Sequence, residues 1–263
     1  MSYLDTLFSV ANKTIFITGA GSGLAQHCAV LFAKLGSHVV FVDINQDGLN
    51  ETEEQIKPYS SNYLKLKLDV TDEQAVQNAV AAAIKTFGQI DILLNCAAVI
   101  DYVPWNQVTE NEWNRNYKVD LLGSWFTCKA VAESMIAKKI PGSIINIASS
   151  LCHRTQKDLI PYNTVKAAVA HMTRSLGLEL TPYNIRVNAL APGFMKTKMV
   201  EEFLKTQNGE KAVKSVPFKR AANLTEIEGV ILLLASNASS YMSGSVIRID
   251  GGLSFNEIVI PDQ

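Results

Sequence analysis

The sequence predicts an α/β fold built on a parallel sheet. Three observations carry this: seven short β-rich runs alternate with helical stretches, most of the runs are apolar nearly throughout, and a glycine-rich turn joins the first run to the first helix. The runs are 14–18, 38–43, 63–68, 90–95, 143–148, 185–190 and 245–250. TIFIT, VVFVD, DILLN and SIINIA lack polar alternation, as strands covered on both faces do. Residues 63–68 alternate instead as YLKLKL, which places that strand near a sheet edge with its lysines toward water.

Between the first two runs, Leu24, Cys28, Leu31, Phe32 and Leu35 fall on one face of a helix, and Gly36 follows as a stop. No linker, repeat or charge block divides the 263 residues, so the reading is a single domain over 1–263. A Lys-rich stretch at about 194–220 interrupts the rhythm as a lid-like insertion, and an apolar tail covers 254–263. Six lysines against three glutamates (Lys196, Lys198, Lys205, Lys211, Lys214, Lys219; Glu201, Glu202, Glu210) read either as a solvated face or as an attraction for polar or anionic substrates. Val103, Pro104, Trp105, Leu151 and Leu159 offer the opposite expectation, an apolar pocket.

Composition excludes several classes. Twenty-four basic against twenty-five acidic residues leave a formal charge of −1, which argues against a nucleic-acid partner. The first residues lack a secretory pattern and no apolar run approaches the roughly 20 residues of a membrane span, so no membrane association is expected. Cys28, Cys96, Cys128 and Cys152 form no C-x-x-C pair, which fits free thiols and a cytoplasmic location. The four histidines are scattered, and no metal is expected.

The turn at 18–25 reads TGAGSGLA, where Gly19, Ser22, Gly23 and Leu24 sit at a strand-to-helix join suited to a pyrophosphate. A plain glycine turn reads the same way until Asp43 is considered. It ends the second run 20 residues after Gly23, the spacing of a carboxylate that binds an adenosine ribose. Such a carboxylate repels a 2′-phosphate, and Ile44 and Asn45 supply no charge to hold one, so NAD is expected over NADP.

Tyr162 and Lys166 are four apart in YNTVK, opening a stretch of helical period, so both fall on one face. An ammonium beside a phenol favours the phenolate, and the expectation is a lowered Tyr162 pKa and a usable proton shuttle. Eight tyrosines and eighteen lysines predict about 0.5 chance pairs at this spacing. Tyr63 and Lys67 supply one such decoy, but in a strand four residues span about 13 Å and cannot cooperate. Ser149, in NIASS at the carboxyl end of the fifth run, reads as the donor that orients a substrate carbonyl, or simply as a cap.

Taken together, these segments resemble the short-chain dehydrogenase/reductase family. The resemblance runs from Lys13 to Gly252 through TGAGSGLA, LDVTD, NCAA, NIASS, YNTVK, IRVNALAPG and IDGG, in that order. It implies a Rossmann fold with a seven-stranded parallel sheet flanked by helices on both faces. It further implies Asp69 and Val70 beside the adenine, Asn95 near the cofactor ribose, and Pro192, Gly193 and Thr197 near the nicotinamide end, with Ala97 and Met195 also among the cofactor-binding residues. Lys166 would bind the nicotinamide ribose as well as tune Tyr162. The implied activity is NAD-dependent interconversion of a secondary alcohol and a ketone, by a homotetramer or homodimer. The alternatives are an NADPH-type 3-oxoacyl reductase and a catalytically weak nucleotide-binding regulator. One departure stands out: Asp120 occupies the place of the family's catalytic asparagine. If ionised, it would attract Lys166 and raise the Tyr162 pKa.

Overall fold

The computed structural model describes residues 3–197, 200 and 203–255. Seven strands, β1 (Thr14–Thr18), β2 (His38–Asp43), β3 (Tyr63–Lys67), β4 (Ile92–Asn95), β5 (Gly142–Ile147), β6 (Ile185–Pro192) and β7 (Val246–Ile249), form one sheet. The helices are α1 (Tyr3–Leu7), α2 (Gly23–Lys34), α3 (Gln46–Ile56), α4 (Glu73–Phe87), α5 (Glu110–Asn116), α6 (Gly123–Lys138), α7 (Ile160–Leu180), α8 (Gln207–Ser215) and α9 (Glu228–Ala235).

All neighbouring strands are parallel, in the order β3-β2-β1-β4-β5-β6-β7. Successive residues of a strand point to opposite faces, and here both faces are packed. Ile15, Ile17, Val39, Phe41, Ile92 and Leu94 pack against α2, α3 and α9 through Phe32, Leu49, Ile56, Ile231 and Leu234. Phe16, Val40, Val42 and Leu93 pack on the other side against Val76, Val80 and Ala83 of α4 and Val131 and Met135 of α6. Burying each large aliphatic side chain stabilises the fold by about 1.5–3 kcal/mol, which explains why the strand sequences are apolar throughout.

The chain winds outward from β1 to β3 and then restarts at β4 on the other side of β1. That reversal opens a crevice at the carboxyl ends of β1 and β4, where such sheets bind ligands. Thr18 fastens its floor, accepting bonds on Oγ1 from the backbone N–H of Cys96 at 3.0 Å and of Ala97 at 3.2 Å.

The expected strands all form, with shifted ends. The run at 90–95 starts pairing as a strand only at Ile92, because the Asp91 carboxylate is turned back to accept the Thr14 N–H at 2.8 Å. β6 runs on to Pro192. β3 is indeed an edge strand, but Lys65 does not simply face water: its Nζ lies 2.6 Å from Glu53 Oε2 and 2.8 Å from Asn50 Oδ1 on α3. In the helix after β1, Leu24, Cys28, Leu31 and Phe32 are buried as expected, whereas Leu35 lies past the helix end and is half-exposed.

Candidate active site

The glycine turn is built by close approaches that no side chain would permit. Gly19 has φ +71°, and a Cβ there would lie 2.8 Å from the Ala97 backbone. A Cβ on Gly21 would lie 2.9 Å from the Asp43 carboxyl carbon. Gly21 N donates to Asp43 Oδ2 at 2.8 Å, and Asn45 N donates to Oδ1 at 2.8 Å. Asp43 therefore does not cap α3; Asn45 does, accepting from the N–H groups of Asp47 and Gly48.

At the start of α2, Ser22 makes no side-chain cap bond, so the amino end of that helix keeps the donors that bind an anion. Thr197 lies over Gly23, its methyl 3.4 Å from where a Cβ would be, which joins the 193–197 segment to the turn across the crevice. Asp43, half-exposed, and Ile44, 60% exposed, stand beside this turn at the end of β2. Together these residues fit the phosphates and an adenosine ribose of a dinucleotide. Asp69 folds its carboxylate onto Thr71, while Val70 is buried against Gly123 of α6.

Two expected cofactor residues are placed differently. The Asn95 side chain is wholly internal: Nδ2 donates to Asn146 Oδ1 at 3.0 Å and Ser124 O at 3.3 Å, and Oδ1 accepts from Thr127 at 2.5 Å. Its side chain ties β4 to β5 and α6. Met195 is also core, 6% exposed and packed with the α2 and α9 side chains, while its carbonyl accepts the Thr197 N–H. Pro192 closes β6, and Gly193 donates to Ile249 O at 2.9 Å in a spot where a Cβ would meet Asp250 at 2.8 Å.

Ser149 follows β5 and is buried; its Oγ accepts the Leu151 N–H at 3.1 Å, the cap role. Tyr162 and Lys166 lie on one face of α7, with Nζ 5.5 Å from the ring centroid. Lys166 Nζ donates to Ile147 O at 3.1 Å and stands 3.2 Å from Asp120 Oδ2. Asp120 lies in a π-helical turn, Tyr117–Leu122, inserted between α5 and α6.

The Tyr162 phenol moves opposite to the drop expected from Lys166 alone and in the direction expected from Asp120. Burial pushes the phenol above the ordinary tyrosine value, and the Asp120 carboxylate pushes it the same way; the Lys166 ammonium and the Ser149 hydroxyl pull it down without prevailing. Burial also opposes the charge of Lys166, but Asp120 and Tyr162 outweigh this and raise its pKa.

Over this cleft sits an aromatic stack that sequence reasoning missed. Tyr102, Phe203 and Phe194 come from three separate segments, with ring centroids 5.6 and 6.2 Å apart. Lys196, Lys205, Lys211, Lys214 and Lys219 are exposed, as a solvated face would be; Lys198, Glu201 and Glu202 lie outside the described residues. Of the expected apolar pocket, Leu159 is fully buried and Trp105 is 76% exposed, leaving Val103 and Leu151 half-buried near the site. Also missed were the residues that buttress the glycine turn from α3. Thr52 Oγ1 donates to Ala20 O at 2.7 Å, and a Cβ on Gly48 would lie 2.4 Å from Gly21 O. No local signal announces them.

A cavity of about 830 Å3 opens at the opposite, amino-terminal edge of the sheet, around Asp91, Tyr183 and Arg186, and brings no reactive group together. Among the described residues no cluster suits a metal, and no helix is long and apolar enough to cross a membrane. All four cysteines are free thiols.

The family model described as enoyl-(acyl carrier protein) reductase matches residues 19–254. An NAD-dependent glycerol dehydrogenase of Listeria innocua is 33% identical over 94% of this chain and 96% of its own. A 3-oxoacyl-(acyl-carrier-protein) reductase of Thermotoga maritima is 35% identical over 92% of this chain and 97% of its own. The crystal structure of a short-chain type dehydrogenase/reductase from Mycobacterium marinum superposes with a TM-score of 0.91, at 32% identity, covering 96% of this chain and 99% of that one. With its parallel sheet, glycine turn and Tyr162–Lys166 helix, the chain belongs to the short-chain dehydrogenase/reductase family.

Proposed function

We propose that this oxidoreductase interconverts a secondary alcohol and a ketone with NAD(H), using Tyr162 as acid and base. The observation that carries the reading is that α7 sets Tyr162 beside Lys166, whose Nζ donates to Ile147 O at the end of β5, two residues before Ser149. A bound nicotinamide supplies or accepts the hydride. Ser149 and Tyr162 hold the substrate oxygen from two sides. In oxidation the Tyr162 phenolate takes the hydroxyl proton as the carbon loses hydride; in reduction the phenol returns that proton to the forming alkoxide. Lys166 holds the phenol electrostatically and would bind the nicotinamide ribose. Gly19, Ser22, Gly23, Leu24 and the backbone of Ala97 would cradle the phosphates, with Asp69 and Val70 at the adenine and Pro192, Gly193 and Thr197 at the nicotinamide end.

Support for NAD over NADP is the half-exposed Asp43 carboxylate beside the turn, which favours ribose hydroxyls and opposes a 2′-phosphate. The glycerol dehydrogenase relative is described as NAD-dependent. We read the chain as one domain with a lid over 194–220, in a reducing, cytoplasmic setting that suits its free thiols. Trp113, Tyr117 and Trp125, all partly exposed along α5 and α6, support pairing of subunits into a homotetramer or homodimer.

A second reading, an NADPH-type 3-oxoacyl reductase, draws on the Thermotoga relative. One experiment separates them: secondary alcohols and ketones are screened with NAD(H) and NADP(H) in parallel, alongside 3-oxoacyl thioesters, following nicotinamide absorbance. The first reading expects turnover of a simple secondary alcohol with NAD. Turnover of thioesters alone, with NADPH alone, would replace it with the second.

A further inference from the structure

Asp120 and Lys166 form an ion pair inside the protein, their side chains 0% and 3% exposed. The carboxylate is fixed on one side only: Oδ1 accepts the Val99 N–H at 2.9 Å, whereas Oδ2 has the Lys166 ammonium 3.2 Å away and no aligned hydrogen bond. Ser124 Oγ donates to the Asp120 carbonyl at 2.7 Å, which pins the π-helical turn and with it the side chain. Lys166 is held in turn by Ile147 O and lies against the Tyr162 ring. Carboxylate, ammonium and phenol thus form a buried row. With a neutral side chain at 120 the row would carry one positive charge; an ionised Asp120 cancels it.

We propose that Asp120 is a positioning residue that, ionised, holds Lys166 as its counter-ion and keeps Tyr162 protonated at neutral pH, favouring ketone reduction there and moving alcohol oxidation to alkaline pH. This rests on the role of Tyr162 proposed above. Reduction requires the phenol, populated below its pKa, and oxidation requires the phenolate, populated above it. The raised pKa directions of Tyr162 and Lys166 agree with the geometry. The other titratable groups facing the row do not replace this effect. Cys96, beyond β4, is pushed up to about 11 by burial and stays a neutral thiol. Cys152 is likewise raised by burial, and Tyr102 carries a raised hydroxyl pKa. Burial raises the Asp120 carboxyl itself above the ordinary aspartate value, against which the Lys166 ammonium, the Val99 N–H and, least, Arg115 (paired with Asp101) favour its ionised form.

The test reads Tyr162 directly in the free protein, through tyrosinate absorbance of the parent minus that of Tyr162→Phe, with and without Asp120→Asn. The expected result is Tyr162 ionising above the ordinary tyrosine value of about 10 in the parent, and about one pH unit or more lower with Asp120→Asn. The alkaline limb of alcohol oxidation should move by the same amount. Superimposable titrations from two variants of equal melting temperature would overturn the proposal, because a neutral, protonated Asp120 behaves like asparagine. If Asp120→Asn unfolds, Asp120→Ser takes its place in the same comparison, since burial alone also raises the phenol and the parent value by itself does not isolate Asp120. A protein that turns over no alcohol or ketone yet shows the shift would sink the functional reading, and with it the effect on reduction and oxidation, while the hold of Asp120 on Lys166 and Tyr162 would stand.

Discussion

Gly21 N donates to Asp43 Oδ2 at 2.8 Å, so the carboxylate we propose for a cofactor ribose also ties the end of β2 to the glycine turn. One residue thereby sets both the shape of the turn and the sign of the charge beside it. Replacing Asp43 with Ala should weaken NADH binding by about tenfold or more, because a charge-assisted hydrogen bond contributes about 1.5–3 kcal/mol. NADPH should lose less, since a repulsion disappears together with the anchor. Nucleotide fluorescence titrations of both proteins with both cofactors measure the gap, and an unchanged ratio would contradict the assignment of Asp43.

Gly48 is outside any recognisable motif, yet a side chain there would press into the Gly21 carbonyl from 2.4 Å. Gly48→Ala should therefore cost about 1–3 kcal/mol as an overpacked contact and lower the melting temperature by several degrees. NADH affinity should fall with it, because the displaced carbonyl belongs to the phosphate turn. Thermal melts with and without NADH check both effects.

Asn95→Ala provides a contrast. Its amide bonds are all internal, and removing them costs about 0.5–1.5 kcal/mol per lost bond plus the cavity left behind, since Thr127 keeps the Gly123 and Ser124 carbonyls and Asn146 Oδ1 keeps the Cys128 thiol. A large drop in melting temperature is expected, with NADH affinity of the folded fraction nearly unchanged. A specific loss of NADH binding at normal stability would return Asn95 to the cofactor site.

What the sequence revealed is what local periodicity and spacing encode. TIFIT and HVVFVD are read as buried strands, and YNTVK as a helix face, from neighbours within a few residues. Gly48, Thr52 and the Tyr102–Phe203 stack were hidden because each acts across a contact between segments far apart in the chain. The sequence offered both signs for the Tyr162 shift, a drop from Lys166 and a rise from an ionised Asp120, and could not weigh them. Spacing shows that Lys166 is near, but burial of the phenol and the approach of Asp120 from another helix are tertiary facts. The burial of the Met195 side chain, beside its β-bridge to Ala222, was likewise not legible in the sequence.

The aromatic stack implies a substrate effect. Phe203 stacks between Tyr102 and Phe194, and such pairs contribute about 0.5–1.5 kcal/mol each. Phe203→Ala should raise KM several-fold with a smaller change in kcat, because the stack closes the cleft without touching the phenol. Steady-state kinetics on the best alcohol from the screen measure the split; a fall in kcat at constant KM would place Phe203 in the chemical step instead.

Tyr162→Phe tests the central claim most directly. Removing the hydroxyl leaves the glycine turn and Asp43 intact, so NADH should bind with near-parental affinity in a fluorescence titration. Turnover of the same alcohol or ketone, followed in the same cuvette by nicotinamide absorbance, should fall by about 10²–10⁴-fold, the usual contribution of a general acid or base. Turnover within a few-fold of the parent, at unchanged NADH affinity, would show that the proton passes through some other group.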